Sequence, residues 1–439
     1  MGLAALFFSV GCHPMAGGVS GRLGAGQALR YRVVLARNLR TAEVSLALPA
    51  VARGRLLRLP RTADWRSRRW RIARVHCDGQ RIFRDGDRGW PLPASCRRAT
   101  WRVRLARVPE GGYLAHSLLA AYHPSRRWVY LPGAGYLLEV VGVRGRATLR
   151  LILPPGLRVF HALDRLPDGR LLLPPAPSSR LALLGVGAFE TRSAAVAGVR
   201  VRHLFAEPVP ARFRGLLAAH KTGLAYLVHV FGAPHGPGLD AFWFRLGPTA
   251  RVVSGYAGRR AVAISYVDQP RGAPHLVPAI RPWLPILMLL HEQVHQLGVA
   301  QPAWLSESLA QYYALKALGR SGALRPAEFA KALDRITQPW SRMPEADRRV
   351  RLLAAHRRYL TTGSLGSFRV FYTNGARFWR TVDRAVVARS GGRRSLDSFV
   401  KQLLRMPYDR QGRPPKAFDR LLEREGGPAA RKAIARWVR

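Results

Sequence analysis

RPWLPILMLLHEQVHQLGVAQPAWLSESLAQYY, residues 281–313, is the stretch on which the reading of this chain turns. An apolar run leads straight into His291-Glu292-Gln293-Val294-His295. Two histidines at i and i+4 share one helix face, so both imidazoles can address a single ion. Glu292 lies beside that face, where a carboxylate can take a proton from water held there. With 13 histidines in 439 residues, composition alone yields about 0.01 such pentapeptides per chain. Chance is a poor account of it. Leu297-Gly298 ends the first helix, glycine being suited to the position after a helix C-terminus. Pro302 opens a second, in which Leu305, Ser308, Leu309 and Tyr312 form a stripe with Glu307 near its edge. A tight helix–turn–helix returns this second helix across the first. Catalytic zinc takes three protein ligands and keeps a fourth position for water, and Glu307 is within reach as the third.

These residues carry a family likeness. HEQVH followed by WLSESLAQYY resembles the gluzincin clan of metallopeptidases, whose H-E-x-x-H helix precedes a helix of the type W-L-x-E-G-(F/L/A)-A-x-Y. The resemblance implies a thermolysin-like catalytic domain and one zinc ion (Zn2+) held by His291, His295 and Glu307. It implies Glu292 as general base and a peptide or protein as substrate. The interval from His295 to Glu307 is shorter than in aminopeptidase N relatives and more like the peptidase MA-like group. Ser308 stands where the clan usually has glycine.

Downstream, Phe371-Tyr372-Thr373-Asn374-Gly375-Ala376 resembles the Y-x-K-G-A segment of aminopeptidase N and glycyl aminopeptidase relatives. By that likeness Tyr372 would stabilise the oxyanion, Asn374 replaces the usual lysine, and Gly375 is retained. Gluzincins hold the substrate backbone on an edge strand before the metal helix. Residues 261–266, with Ala263 and Ser265, are the expected strand. The glycyl aminopeptidase family is the nearest relative, with a likeness specific over 289–313, moderate over 368–404 and architectural before 206. No PDZ-like module follows. The acidic G-x-M-E-N or G-G-L-E-H motif that binds a substrate amine is replaced by Ser254-Gly255-Tyr256-Ala257-Gly258-Arg259-Arg260. The reading is therefore a peptidase without aminopeptidase specificity, in which Arg259 or Arg260 would favour an acidic or carboxylate-bearing substrate.

The rest of the chain is read around this centre. From 30 to about 206 apolar residues alternate, as in Trp101-Arg102-Val103-Arg104-Leu105, with Gly and Pro between the runs. Many short strands so punctuated predict an all-β, sandwich-like domain, and its histidines at 76, 116, 123, 161 and 203 read as structural or surface residues. Residues 208–231 switch to helical spacing, and 241–245 and 261–267 read as strands. His235 and His275 fall in proline-flanked loops and read as surface, the three-ligand set being complete. After 318 the pattern is helical, with helices expected at 326–336, 344–360, 368–389, 395–404, 417–425 and 428–438. The expected organisation is an α+β multidomain chain: a leader at 1–21, a β domain at 22–206, a catalytic α/β part at 207–319, and a helical part at 320–439.

Hydrophobic residues make up 48% of the chain, which excludes a disordered class. The formal net charge is +47, but lysine occurs only at 221, 316, 331, 401, 416 and 432. The rest of the basic residues are arginine, spread along the sequence. This fits the coding bias of a GC-rich genome better than a dedicated nucleic-acid arm, although contact with anionic envelope surfaces at low salt is expected either way. Of the cysteines at 12, 77 and 96, the last two could close a loop as a disulfide in an exported protein. The apolar run at 3–10 followed by Gly11-Cys12 resembles the end of a secretory or lipoprotein leader, so a periplasmic or envelope location is expected. Two other readings remain at this point: a catalytically degenerate gluzincin-fold binding protein of the envelope, and a polyanion binder using the fold as a scaffold.

Overall fold

The structure is a computed structural model. It describes residues 21–22, 27–59, 71–86, 88–108, 120–176, 178–211, 213–234, 236, 238–245, 254–266, 283–298, 301–336, 347, 349–362 and 366–439. Residues 1–20 of the expected leader, His116, His235 and His275 lie outside these residues.

Among the described residues the larger three of four β-sheets stack in front of a helical layer, and in the outermost of them alternation along the strands gives one face to the core. The outermost sheet has nine strands; its centre runs Val143–Ile152, Leu29–Leu35, Thr41–Ala47, Arg98–Arg104, Ile72–Cys77. Leu29, Tyr31, Val33 and Leu35 point inward, with Val44, Trp101 and Val103 beside them, while the intervening arginines face out. Cys77 and Cys96 are joined by a disulfide. The second sheet has five strands built about Trp128–Pro132, which is buried along its whole length. Val129 and Leu131 close the first core, whereas Trp128 and Tyr130 join a second one with Phe242 and Phe244. These two sheets share one core.

The third sheet packs against the helical layer. Its strands are β1 (Glu190–Val196), β2 (Val199–Phe205), β3 (Gly238–Arg245), β4 (Ser254–Ala257) and β5 (Ala261–Tyr266), in the order β1-β2-β3-β5-β4. Alternation alone groups the hairpin β1–β2 with the N-terminal domain, yet its second strand pairs with β3 in parallel; alternation reveals a strand but not its sheet. Helix α1 (Phe213–Phe231) makes the β2-to-β3 crossover that a parallel pair needs. Ala241, Trp243, Val262 and Ile264 face the helices, and Phe242, Phe244, Ala261 and Ala263 face the second sheet.

Helices α2 (Leu284–Leu297) and α3 (Ala303–Arg320) lie against this sheet and α1. Every residue of α2 from Leu284 to Val294 is buried: the apolar turns up to Leu290 need this, and His291, Glu292 and Gln293 are enclosed with them. Gly298 follows α2 as expected but at φ −84°, so no left-handed turn demands it. In the C-terminal part, the helix expected at 344–360 covers Leu352–Thr362. The segment expected as one helix from 368 is interrupted by a π-helical turn, Phe371–Gly375, before Ala376–Arg389. The last two helices run together across a kink at Gly427, where φ is 65°.

Candidate metal centre

His291 and His295 stand one turn apart on α2, and Glu307 comes from the first turns of α3. Their Nε2 atoms are 3.3 Å apart. Glu307 Oε2 lies 3.4 Å from His291 Nε2 and 3.5 Å from His295 Nε2. A tetrahedron with zinc-to-ligand bonds near 2.0–2.1 Å has edges of about 3.3 Å. The three donors thus form one face of such a tetrahedron, and the donor set of two imidazoles and a carboxylate suits zinc. Among the described residues His291, His295 and Glu307 form one of two groups able to hold a metal; the other contains the disulfide cysteines.

The electrostatics of the triad point the same way. Burial pushes the Glu307 carboxyl up, but the charge of His295 and hydrogen bonds from both imidazoles outweigh it and hold the group down at about 2. Burial lowers His291. At His295 burial acts in the same sense, yet attraction to Glu307 prevails and the net shift is upward. An ionised carboxylate between two imidazoles is the state a cation would find. His295 Nδ1 is 2.9 Å from Ser306 Oγ, which fixes the ring so that Nε2 faces the centre. Ser306 was not singled out in the sequence, although its place immediately before Glu307 was the available signal.

Glu292 has no exposed surface and points from α2 toward β4. A Cβ at Gly255 would come within 2.7 Å of both Glu292 Cγ and Oε1, so the glycine leaves the carboxylate its place. The phenol of Tyr130, from the N-terminal half, is also close. Its pKa is raised first by burial, then by Tyr256 and by the charge of Glu292. No spacing in the sequence could have brought Tyr130 here, since it arrives through the packing of two sheets.

Tyr372 sits in the π-helical turn with its ring edge-on to that of His291, centroids 5.6 Å apart. Turns of this type interrupt helices to re-aim a side chain, often at functional sites. Asn374 points elsewhere and donates from Nδ2 to the Val350 carbonyl.

The residues expected to bind substrate fare differently. β5 is hydrogen-bonded to β3 on one side and β4 on the other, so Ala263 and Ser265 lie in an interior strand and are buried. The edge strand is β4. Its four-residue length and polar-apolar mixture hid it, while the longer apolar run of β5 drew the assignment. Arg260 is buried and paired with Asp164 at 2.8 Å, so its charge ties the third sheet to the N-terminal half and is not offered to a substrate. Arg259 is exposed, and its N–H donates to the Leu181 carbonyl.

The fold has clear counterparts. An aminopeptidase N family protein from Idiomarina loihiensis superposes with a TM-score of 0.66 at 13% identity, over 85% of this chain and 69% of that one. An M1 zinc metallopeptidase from Deinococcus radiodurans matches with a TM-score of 0.53 at 17% identity, over 94% and 92% of the two chains. No protein-family profile and no curated sequence matches the chain. The chain shares the fold of these two proteins.

Proposed function

We propose that this protein is a zinc-dependent metallopeptidase. The observation that carries the reading is the 3.3–3.5 Å triangle of His291, His295 and Glu307, inside a fold shared with M1 zinc metallopeptidases. When bound, zinc supplies Lewis acidity to the substrate carbonyl and to the attacking water. Glu292 accepts the proton of the water that adds to the peptide carbonyl carbon. It returns that proton to the amine nitrogen as the C–N bond breaks. Tyr372 donates a hydrogen bond to the carbonyl oxygen as negative charge grows there. The substrate main chain pairs in extended form along the outer edge of β4, next to Gly255 and Glu292. β4 carries no acidic residue, which supports cleavage that does not depend on a free amino terminus. Export is part of the proposal, supported by the Cys77–Cys96 disulfide.

The deciding experiment measures zinc content and hydrolysis of a broad peptide library for wild type and Glu292→Gln. One zinc per chain, with hydrolysis lost in the variant, is expected. Stoichiometric zinc without hydrolysis in the wild type would instead make the protein a binding module on a peptidase fold.

A further inference from the structure

The outer face of the nine-stranded sheet carries an open groove of ≈ 770 Å³, and seven of its sixteen lining residues are arginine. Strand register explains its shape. One row runs across five adjacent strands as Arg150, Arg32, Ser45, Thr100, His76. The neighbouring row contains Arg30, Ala47 and Arg98. Small side chains thus form the floor. Arg30, Arg32 and Arg150 form one bank, and Arg74, Arg98 and Arg102 the other. At 4.7–4.9 Å per strand the distance from Arg32 across to His76 is about 14 Å. Glu43 is the single acid in the lining and is paired with Arg102 at 2.8 Å. Arg32 and Arg150 are direct lateral neighbours, an arrangement of like charges that costs stability and calls for an anion.

Two observations select the anion. Tyr31 and Trp101, the aromatic residues of the lining, are 2% exposed and offer no stacking platform of the kind single-stranded nucleic acids use. Phe83, by contrast, is 71% exposed. It follows Arg81, the direct partner of His76 in the hairpin at the sheet margin, and the Arg81 guanidinium lies over its ring. Ile82 between them packs into the core, so Phe83 shares the outer face with the groove. An exposed aromatic beside clustered arginines suits the boundary between headgroups and acyl chains. Two further sheets separate the groove from the metal centre, each about 10 Å deep, so a substrate segment held in the groove would not reach Glu292.

We propose that this face docks the protein on an anionic phospholipid surface, with the arginine banks taking the headgroup phosphates and Phe83 entering at the margin. The chemistry balances charge without any covalent step, and it leaves the metal centre facing away from the bilayer.

The test is co-sedimentation of the full chain with vesicles of phosphatidylcholine alone and of an equimolar mixture with phosphatidylglycerol. Binding to the mixture only, weakening with salt, is expected. Each arginine removed should weaken it by about fivefold, so Arg32→Glu/Arg150→Glu should abolish it. Arg32→Lys/Arg150→Lys should retain it and shows that the face still folds. Phe83→Ser should weaken binding severalfold. Arg384→Glu/Arg393→Glu, equal in charge change but on the exposed helical side, should bind as wild type. Equal loss in that control would overturn the proposal, since net charge alone would then be responsible. So would binding of a single-stranded oligonucleotide through Arg32 and Arg150 with no binding to anionic vesicles.

Discussion

Gly375 faces Ser308 so closely that a Cβ on the glycine would lie 2.2 Å from the serine Cβ. The contact joins the π-helical turn holding Tyr372 to α3 next to Glu307, and Trp379 Nε1 donates to Ser308 Oγ at 2.8 Å. Ser308 stands where the metallopeptidase pattern it resembles has glycine, so the serine side chain leaves position 375 no room for a Cβ. Gly375→Ala should destabilise the fold by about 1–3 kcal/mol through overpacking. The double variant Ser308→Gly/Gly375→Ala should recover part of that loss, read as a thermal midpoint between those of Gly375→Ala and wild type. Additive losses would show that the two positions do not share one space.

Ser306 orients His295 through the bond to Nδ1. Loss of such an outer partner typically costs 10–100-fold in metal affinity. Ser306→Ala should therefore weaken zinc binding by about that factor in a competitive chelator titration, with the fold intact. Zinc should also raise the thermal midpoint of wild type in proportion to the logarithm of its free concentration. This shift should be absent in Glu307→Gln.

The clustering of His291, His295 and Glu307 was legible because i, i+4 spacing and a helix–turn–helix fix their relative positions within 17 residues. The nearby Tyr372 was visible only through a family pattern, and the π-helical turn that aims it leaves no mark in apolar periodicity. Sheet membership was not legible at all. Alternation in Val199–Phe205 shows a strand with one core-facing side, but which sheet receives it is decided by residues far away. The same holds for Tyr130 beside Glu292 and for Arg260 paired with Asp164. The expected edge strand failed for a related reason: burial on both faces makes β5 the more conspicuous run, and edges are short and mixed.

Gly255 and Glu292 give a direct probe of the proposed base. Because a Cβ at Gly255 would meet the carboxylate at 2.7 Å, Gly255→Ala should displace Glu292 and leave the three ligands in place. Peptide hydrolysis should fall by about 10²-fold or more, the range of a misplaced general base, at unchanged zinc stoichiometry. Retention of full activity would place the carboxylate's task elsewhere.

His203 and His220 supply a pH dependence that is independent of the metal. Both are buried behind α2, ring centroids 4.9 Å apart. His203 Nδ1 accepts from Trp243 Nε1 at 3.1 Å, and His220 Nε2 lies 2.9 Å from Gln293 Oε1 on α2. Burial depresses both, His220 to about 4, with the Gln293 bond acting weakly in the other direction. The groups facing the pair are each other, Trp243 and Gln293, and no carboxylate contributes to either shift. Their folded pKa values lie below the unfolded value near 6.5, so between about pH 4 and 6.5 the unfolded chain binds more protons. Stability is complete above 6.5 and falls as pH drops through that window, by up to about 1.4 kcal/mol per pH unit for each histidine. Denaturant unfolding of the metal-free protein from pH 7 to 4.5 measures this slope. His220→Gln, which keeps a polar partner for Gln293 without a titrating ring, should flatten it by roughly half. An unchanged slope in that variant would assign the acid sensitivity to other groups.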